Sequence, residues 1–227
     1  MDRKKLLEFF DGESIREEIH VVGCGAIGSH VAEELARMGC KKIHLWDFDK
    51  VESHNITNQM FYEDDIGKPK VEAVADMMRR INGELNDENN LIIHNEALAE
   101  PWILNGYIFM CVDKIDVRRN IVKANMYNPN ALFVSDFRMG LTEAQYYSAR
   151  FSERAEVKEL LRTMEFTDEE AHEATPKSAC GVELSVVYTV KTIVSCGIKN
   201  FASLIQGLKV KNKIFVYMND EIEIESY

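Results

Sequence analysis

Short apolar runs recur along the first two-thirds of the chain, and stretches with helical spacing lie between them. Each run is bounded by polar or glycine-containing segments, which is typical of buried strands. The predicted strands cover residues 19–22, 43–46, 91–93, 107–112 and 131–134. Because strands and helices alternate, the pattern indicates a parallel sheet with helices on both faces.

The stretches between these runs carry apolar residues at three- and four-residue spacing, as amphipathic helices do. The first predicted helix begins at Ser29 and places Val31 and Leu35 on one face. The second has Pro69 in its first turn, where a missing N–H costs little. A third helix is predicted over 117–126.

The pattern changes after residue 137. The elements predicted there are a more exposed strand over 143–150, a short helix over 157–164, a buried helix over 182–194 and a last strand over 213–217. The tail from Asp220 alternates acidic and apolar residues, which fits an edge strand, a strand that binds a partner, or a solvated chain end. Residues 152–179 are polar and charged, and we expect a mobile insertion or crossover segment there.

No internal repeat or Pro/Ser-rich linker divides the chain, so 1–227 is predicted to be one domain. The predicted fold class is α/β. It is a Rossmann-like, doubly wound, mostly parallel sheet with helices on both faces and antiparallel strands toward the C-terminus.

A glycine-rich turn lies between the first predicted strand and helix. Residues 23–28 read Gly-Cys-Gly-Ala-Ile-Gly, a GxGxxG pattern whose backbone can approach a phosphate at the start of a helix. Asp47 follows about 20 residues later, at the end of the second strand, where it can accept a hydrogen bond from a ribose hydroxyl. The turn therefore predicts a nucleotide, without saying which one.

The composition narrows the classes of partner. Lys and Arg number 27 against 38 Asp and Glu, a net charge of -11, which argues against binding to nucleic acid or to anionic membranes. No apolar run is long enough to span a membrane, and the start of the chain lacks a signal peptide pattern. The five cysteines form no CxxC pair, so we expect a soluble cytoplasmic protein without a structural zinc site.

The segments around 47–59 and 65–72 favour ATP over NAD. They are polar, contain Asn55, Gln59 and Lys70, and could hold a triphosphate and neutralise a departing pyrophosphate. An NAD-binding unit has no need of such an excursion. An NAD-dependent oxidoreductase remains an alternative that depends only on the glycine turn and Asp47.

Three segments in order carry a family resemblance. They are Gly-x-Gly-x-x-Gly-Ser, then Asp-Phe-Asp-x-Val-x-x-x-Asn-x-x-x-Gln from Asp47, then Gly-Lys-Pro-Lys-Val-Glu from Gly67. Together with Cys-Val-Asp at 111–113, they resemble the ThiF/MoeB/HesA family, the relatives of ubiquitin-activating enzymes. The resemblance covers about residues 18–125 and continues weakly through Cys180.

The resemblance implies an enzyme that uses ATP and Mg²⁺ to adenylate the C-terminal glycine of a small ubiquitin-like or sulfur-carrier protein, or a peptide. It also implies a homodimer. The nucleotide-binding residues implied by position are Gly23, Gly25, Ala26, Ile27, Gly28, Asp47, Asp49, Asn55, Gln59, Lys70 and Lys114. Lys70 and Asp113 would be catalytic, with Asp113 as the Mg²⁺ ligand.

Asn58 is the main departure from the family pattern. It stands at a catalytic position where the family has an arginine, and an amide cannot replace a charged guanidinium. Lys114, Arg118 or Arg119 could supply charge instead. The departure keeps a second hypothesis open, a catalytically impaired module that binds a nucleotide or a partner.

The cysteines and histidines are weaker candidates. Cys180 follows a polar segment near a predicted helix start, and it is either a nucleophile for acyl or sulfur transfer or a half-buried packing residue. The remaining cysteines are expected to pack in apolar or tight surroundings. His20 and His44 lie within predicted strands and are expected to be packed rather than metal-bound.

Overall fold

The computed structural model of the chain describes residues 2, 4–170 and 185–227. The strands are β1 (Ile19–Val22), β2 (Ile43–Trp46), β3 (Leu91–His94), β4 (Gly106–Met110), β5 (Ala131–Met139), β6 (Glu143–Arg150), β7 (Lys213–Met218) and β8 (Ile222–Ser226). The α-helices are α1 (Ala26–Arg37), α2 (Lys70–Ile81), α3 (Ile115–Asn125), α4 (Arg154–Arg162) and α5 (Val187–Ile205).

The described strands form one sheet in the order β3-β2-β1-β4-β5-β6-β7-β8. Strands β1 to β5 pair in parallel, and β5 to β8 pair antiparallel. The strand order reverses between β1 and β4, and in such sheets ligands bind at the carboxyl ends of the strands beside that point. The topology confirms the predicted fold class.

Apolar side chains cover both faces of the sheet. On one face α1, α2 and α5 pack through Val31, Val74 and Ile193. On the other, α3 and α4 contribute Ile121 and Leu160. Within the described part of the chain no helix has the length and apolarity needed to cross a membrane.

Several predicted boundaries shift in the structure. Helix α1 starts at Ala26, inside the glycine-rich pattern, and Pro69 precedes α2 as its N-cap instead of lying in its first turn. Strand β5 continues to Met139 because β6 pairs with it along its whole second half. The prediction of a more exposed strand over 143–150 was wrong, since β6 lies between β5 and β7 and most of its residues are buried.

The C-terminal elements also differ from their predicted bounds. The last helix continues to Ile205, well past the predicted end at 194, and residues 182–184 lie outside the described residues. The acidic tail forms β8, an exposed strand that pairs with β7. Within 152–179, residues 154–162 form α4, which packs on β6, and residues 171–179 lie outside the described residues.

Candidate functional site

The glycine-rich turn connects the end of β1 to α1 at the point where the strand order reverses. Gly23 has φ +94°, and a Cβ there would lie 2.8 Å from the Cys111 backbone. A Cβ at Gly28 would clash with the Gly23 carbonyl. At Gly25 the only atom of the described residues near a Cβ would be Gln59 Oε1, at 3.9 Å, so these residues leave the turn open on that side. Helix α1 has no side-chain N-cap, and its first N–H groups can bind an anion.

Asp47 anchors the turn to the end of β2. Its Oδ2 accepts a hydrogen bond from the Cys24 N–H at 2.7 Å, and its Oδ1 accepts one from the Asp49 N–H at 2.8 Å. Burial raises the pKa of the Asp47 carboxyl. Each oxygen keeps a further lone pair, so the carboxylate can still accept a ribose hydroxyl.

Lys70 is the first residue of α2 and is paired with Asp49. Its Nζ lies 2.8 Å from Asp49 Oδ2, and its backbone N–H donates to the Asp49 carbonyl. Lys70 is buried while the Asp49 side chain is half exposed, so the pair lies at the edge of the site. A phosphate that approaches Lys70 would compete with Asp49 for the ammonium.

The segment over 53–60 folds back toward the glycine-rich turn. The Asn55 side chain caps its helical turn by accepting the Glu52 N–H at 2.9 Å, so its oxygen is already used. Gln59 differs, because its Oε1 is buried without a hydrogen-bond partner among the described residues and faces Gly25. Turning the amide over would present its NH₂ group to a phosphate.

The residues on both sides of Gln59 are held by side chains of α1. His30 Nε2 donates to the Asn58 carbonyl at 3.3 Å, and Ser29 Oγ accepts the Met60 N–H at 3.1 Å. The Asn58 amide donates to Ser185 Oγ at 2.7 Å, just before α5. The Asn58 side chain thus joins this segment to the last helix.

Asp113 and Lys114 leave the end of β4, beside β1. Both are exposed, and Asp113 has no hydrogen-bond or ion-pair partner within the described part of the chain. An unpartnered carboxylate at this edge suits a hard cation such as Mg²⁺. Arg118 and Arg119 do not supply the missing charge, since Arg118 is buried against Asp136 and Arg119 bonds to Asp116 and the Met164 carbonyl.

The structure thus brings together most of the predicted site. Hydrogen bonds connect the glycine-rich turn to Asp47, Asp47 to Asp49, and Asp49 to Lys70. Gln59 faces the turn at Gly25, and Asp113 follows the end of the adjacent strand, β4. Sequence reasoning missed the supporting roles of Ser29, His30 and Ser185. Ser29 ends the quoted glycine motif, and that adjacency is the signal that could have identified it.

The cysteines contribute no activated thiol among the described residues. Cys24 and Cys40 are buried, and burial raises the pKa of the thiols of Cys24, Cys111 and Cys196. Cys180, the predicted nucleophile, lies outside the described residues.

Near the amino ends of β1 and β2, away from the nucleotide edge, lies a second polar group. Glu18, His20 and His44 place possible ligand atoms within 4.8 Å of one another. The Trp46 indole donates to His20 Nδ1 at 3.3 Å, which places the proton of a neutral His20 on Nε2, toward Glu18. That nitrogen has no free lone pair for a metal and lies buried without a hydrogen-bond partner within the described residues, so the group is one of packing contacts.

The fold and this geometry define a doubly wound α/β protein with a glycine-rich turn at the point where its strand order reverses. The family model described as "ThiF family" matches residues 13–214, most of the chain. The chain therefore belongs to the ThiF family.

The chain also resembles curated proteins over part of their length. It is 35% identical over 125 residues to ubiquitin-like modifier-activating enzyme 5 of Drosophila willistoni, which covers 49% of this chain and 31% of that protein. It is 31% identical over 129 residues to tRNA threonylcarbamoyladenosine dehydratase 2 of Saccharomyces cerevisiae, with 53% and 29% covered. Each match spans less than a third of the relative.

Two solved structures share the fold. The selenomethionine structure of PaaA has a TM-score of 0.70 at 17% identity and covers 99% of this chain and 72% of PaaA. Escherichia coli MccB, solved with AMPCPP and selenomethionine MccA, has a TM-score of 0.65 at 20% identity and covers 93% and 63%. At these identities the likeness shows the fold alone.

Proposed function

We propose that this chain is an ATP-dependent adenylyltransferase. It activates the C-terminal carboxylate of a small ubiquitin-like or sulfur-carrier protein, or of a peptide. The observation that carries the proposal is the segment over 47–60, which places Gln59 Oε1, unpartnered among the described residues, beside Gly25. A dinucleotide turn requires no such residue. ThiF membership and the ATP analogue bound to MccB support the same nucleotide.

The proposed reaction forms one bond and breaks one. A carboxylate oxygen of the substrate attacks the α-phosphorus of ATP, and the bond from that phosphorus to the bridging oxygen of pyrophosphate breaks. The first N–H groups of α1 hold phosphate oxygens, Asp47 orients the ribose, and Lys70 shifts from Asp49 toward the leaving charge. Asp113 would hold Mg²⁺, which supplies charge neutralisation when bound.

The relatives support the proposed substrate class. One is named as an activating enzyme for a ubiquitin-like modifier, and MccB was solved with MccA. We further propose that residues 1–227 act as a single adenylation domain without zinc, that 152–179 is an insertion or crossover segment, and that the protein works as a cytoplasmic homodimer.

The test is magnesium-dependent exchange of labelled pyrophosphate into ATP in the presence of candidate carriers that end in Gly-Gly. We expect Lys70→Ala and Asp113→Asn each to lower exchange by roughly 10²–10³-fold, because each removes a group aimed at developing charge. Lys68→Ala and Asp116→Asn are matched controls, since Lys68 pairs with Asp65 and Asp116 with Arg119. Robust exchange that survives both site substitutions would sink the site assignment.

A second candidate is a nucleotide-binding module without chemistry. The Asn58 amide favours it, because this group replaces the family arginine and is already bonded to Ser185. Tight binding of ATP by calorimetry, with no acyl-adenylate formed with any carrier, would select this alternative. Thermal stabilisation by NAD and not by magnesium–ATP would instead favour the less supported oxidoreductase.

A further inference from the structure

Two arginines share one buried carboxylate at the carboxyl ends of β4 and β5. Asp136 is fully buried and pairs in register with Met110 of β4. Arg118 of α3 bonds to Asp136 Oδ1, and the Arg138 Nε donates to Asp136 Oδ2 at 2.8 Å. Among the described residues no other carboxylate pairs with either arginine, so the cluster holds one surplus positive charge.

Arg118 extends from this cluster to the end of β4. Its Nη2 donates to the Val112 carbonyl, and its Nη1 also donates to the Phe137 carbonyl at 2.7 Å. Val112 immediately precedes Asp113. One guanidinium therefore ties the peptide group before Asp113 to β5, across the end of the sheet.

Arg138 uses the same carboxylate but holds a different segment. Its Nη1 donates to the Thr163 carbonyl at 2.7 Å, its Nη2 donates to Thr163 Oγ1 at 2.9 Å, and its guanidinium lies 4.5 Å from the centre of the Tyr147 ring. Within the described part of the chain, none of its contacts reaches residues 111–114. The two arginines thus share a carboxylate partner and are mostly buried, with side chains 7% and 14% exposed, but they position different segments.

We propose that Arg118 is a positioning residue that fixes the direction in which Asp113 leaves β4. The role of Asp113 itself rests on the proposed function. A guanidinium can bond to Asp136 and to the Val112 carbonyl at once because its donors form a rigid planar fork, whereas a lysine ammonium lacks that geometry. Groups that orient a metal ligand from behind typically change metal affinity by about 10–100-fold when they are removed.

The experiment compares Arg118→Lys with Arg138→Lys in the full chain. Hydrogen exchange of the amides over 111–116 is measured without ligand, and binding of AMPCPP with Mg²⁺ is measured by calorimetry. We expect Arg118→Lys to speed exchange in that segment and to weaken binding by at least about tenfold. Arg138→Lys should lower the melting temperature and leave both readouts within about twofold of the wild type.

A double-mutant cycle with Asp113→Asn tests the route of the effect. If Arg118 acts through Asp113, then Arg118→Lys weakens binding no further in the Asp113→Asn background. Fully additive losses would overturn the proposal, as would equal effects of the two arginine variants. If Arg118→Lys does not fold, Arg118→Gln takes its place, and loss of the fold in both would mark the arginine as structural and reject the proposal.

The readouts keep this proposal separate from the proposed function. Neither measurement needs turnover, so a chain that binds magnesium–AMPCPP and never forms an adenylate counts only against catalysis. If the wild type does not bind AMPCPP, the nucleotide assignment fails, while hydrogen exchange still shows whether Arg118 and not Arg138 holds residues 111–116.

Discussion

At the scale of single residues, Gln59 has the clearest functional signature. A buried carbonyl oxygen without a partner costs a folded protein on the order of 1–3 kcal/mol, so its presence needs a compensating role. We infer that the compensation is a phosphate beside Gly25, to which the Gln59 amide donates through its NH₂ group once it is turned over.

Gln59→Leu separates stability from binding. The substitution removes the unsatisfied oxygen and keeps a similar volume, so we expect the free energy of unfolding without ligand to stay the same or to rise by about 1 kcal/mol. Affinity for ATP should fall by roughly tenfold, since one hydrogen bond to a charged group is lost. Urea titration and calorimetry measure the two quantities, and unchanged ATP affinity would contradict the assignment.

Only some of these single-residue roles could be predicted from the sequence. The glycine turn, Asp47 and Lys70 could be located from local pattern, because each role depends on an adjacent strand end or helix start. Local pattern could not predict that Lys70 pairs with Asp49. It also could not predict the Asn58–Ser185 hydrogen bond, because those residues are 127 positions apart. Side-chain partners of that kind are set by packing of the whole sheet.

At the scale of elements, the histidines on β1, β2 and β3 form a connected row. His20 and His44 are neighbours across β1 and β2, and His44 Nδ1 lies 3.1 Å from His94 Nε2. Burial lowers the pKa of all three, and it lowers that of His20 to about 3. These strands therefore pack best when the row is neutral.

The row predicts a loss of stability in mild acid. Because the folded pKa of His20 lies below the unfolded value near 6.5, the unfolded chain binds more protons between about pH 3 and 6.5, and stability falls as the pH drops through that window. His20 alone contributes a loss of about 1.4 kcal/mol between pH 7.5 and 5.5.

Urea unfolding at those two pH values measures the effect. His20→Gln should reduce the pH dependence, and the exposed His54→Gln is the control that should leave it unchanged. An equal dependence in wild type and His20→Gln would refute the explanation.

Contacts between elements explain why some elements were predicted incorrectly from the sequence. Strand β6 was expected to be more exposed, but its Ser148 hydroxyl bonds to the Lys211 carbonyl and lies beside buried Asn200 of α5. Helix α5 carries a glycine at position 197 because a Cβ there would overlap the ring of Phe137. Periodicity identifies strands and helices, whereas buried polar partners become visible only in three dimensions.

At the scale of the whole molecule, the acidic net charge of the chain is compatible with a proposed site for a phosphate. The net charge of -11 belongs to the whole chain, while the proposed phosphate site offers helix N–H groups and Lys70. Acidic side chains also lie on β8, whose outer edge pairs with no other described strand. Charged residues on an edge strand oppose pairing with a second sheet.

Neutralising that edge tests its contribution to solubility. We expect Glu223→Thr with Glu225→Thr to increase self-association, because exposed Ile222 and Ile224 remain on the strand. The control, Glu63→Thr with Glu88→Thr, changes the net charge equally at exposed positions outside the sheet. Light scattering across a concentration series measures association, and equal behaviour of the two variants would show that net charge alone matters.

The hydrogen bond from Asn58 to Ser185 also bears on how the protein is made. Asn58, in the segment beside the glycine-rich turn, is held through its carbonyl by His30 of α1 and through its side-chain amide by Ser185, just before α5. The second contact joins residues that are 127 positions apart, so it can form only after the ribosome has added all the residues between them. The turn is therefore synthesised well before the contacts that hold Asn58 are complete.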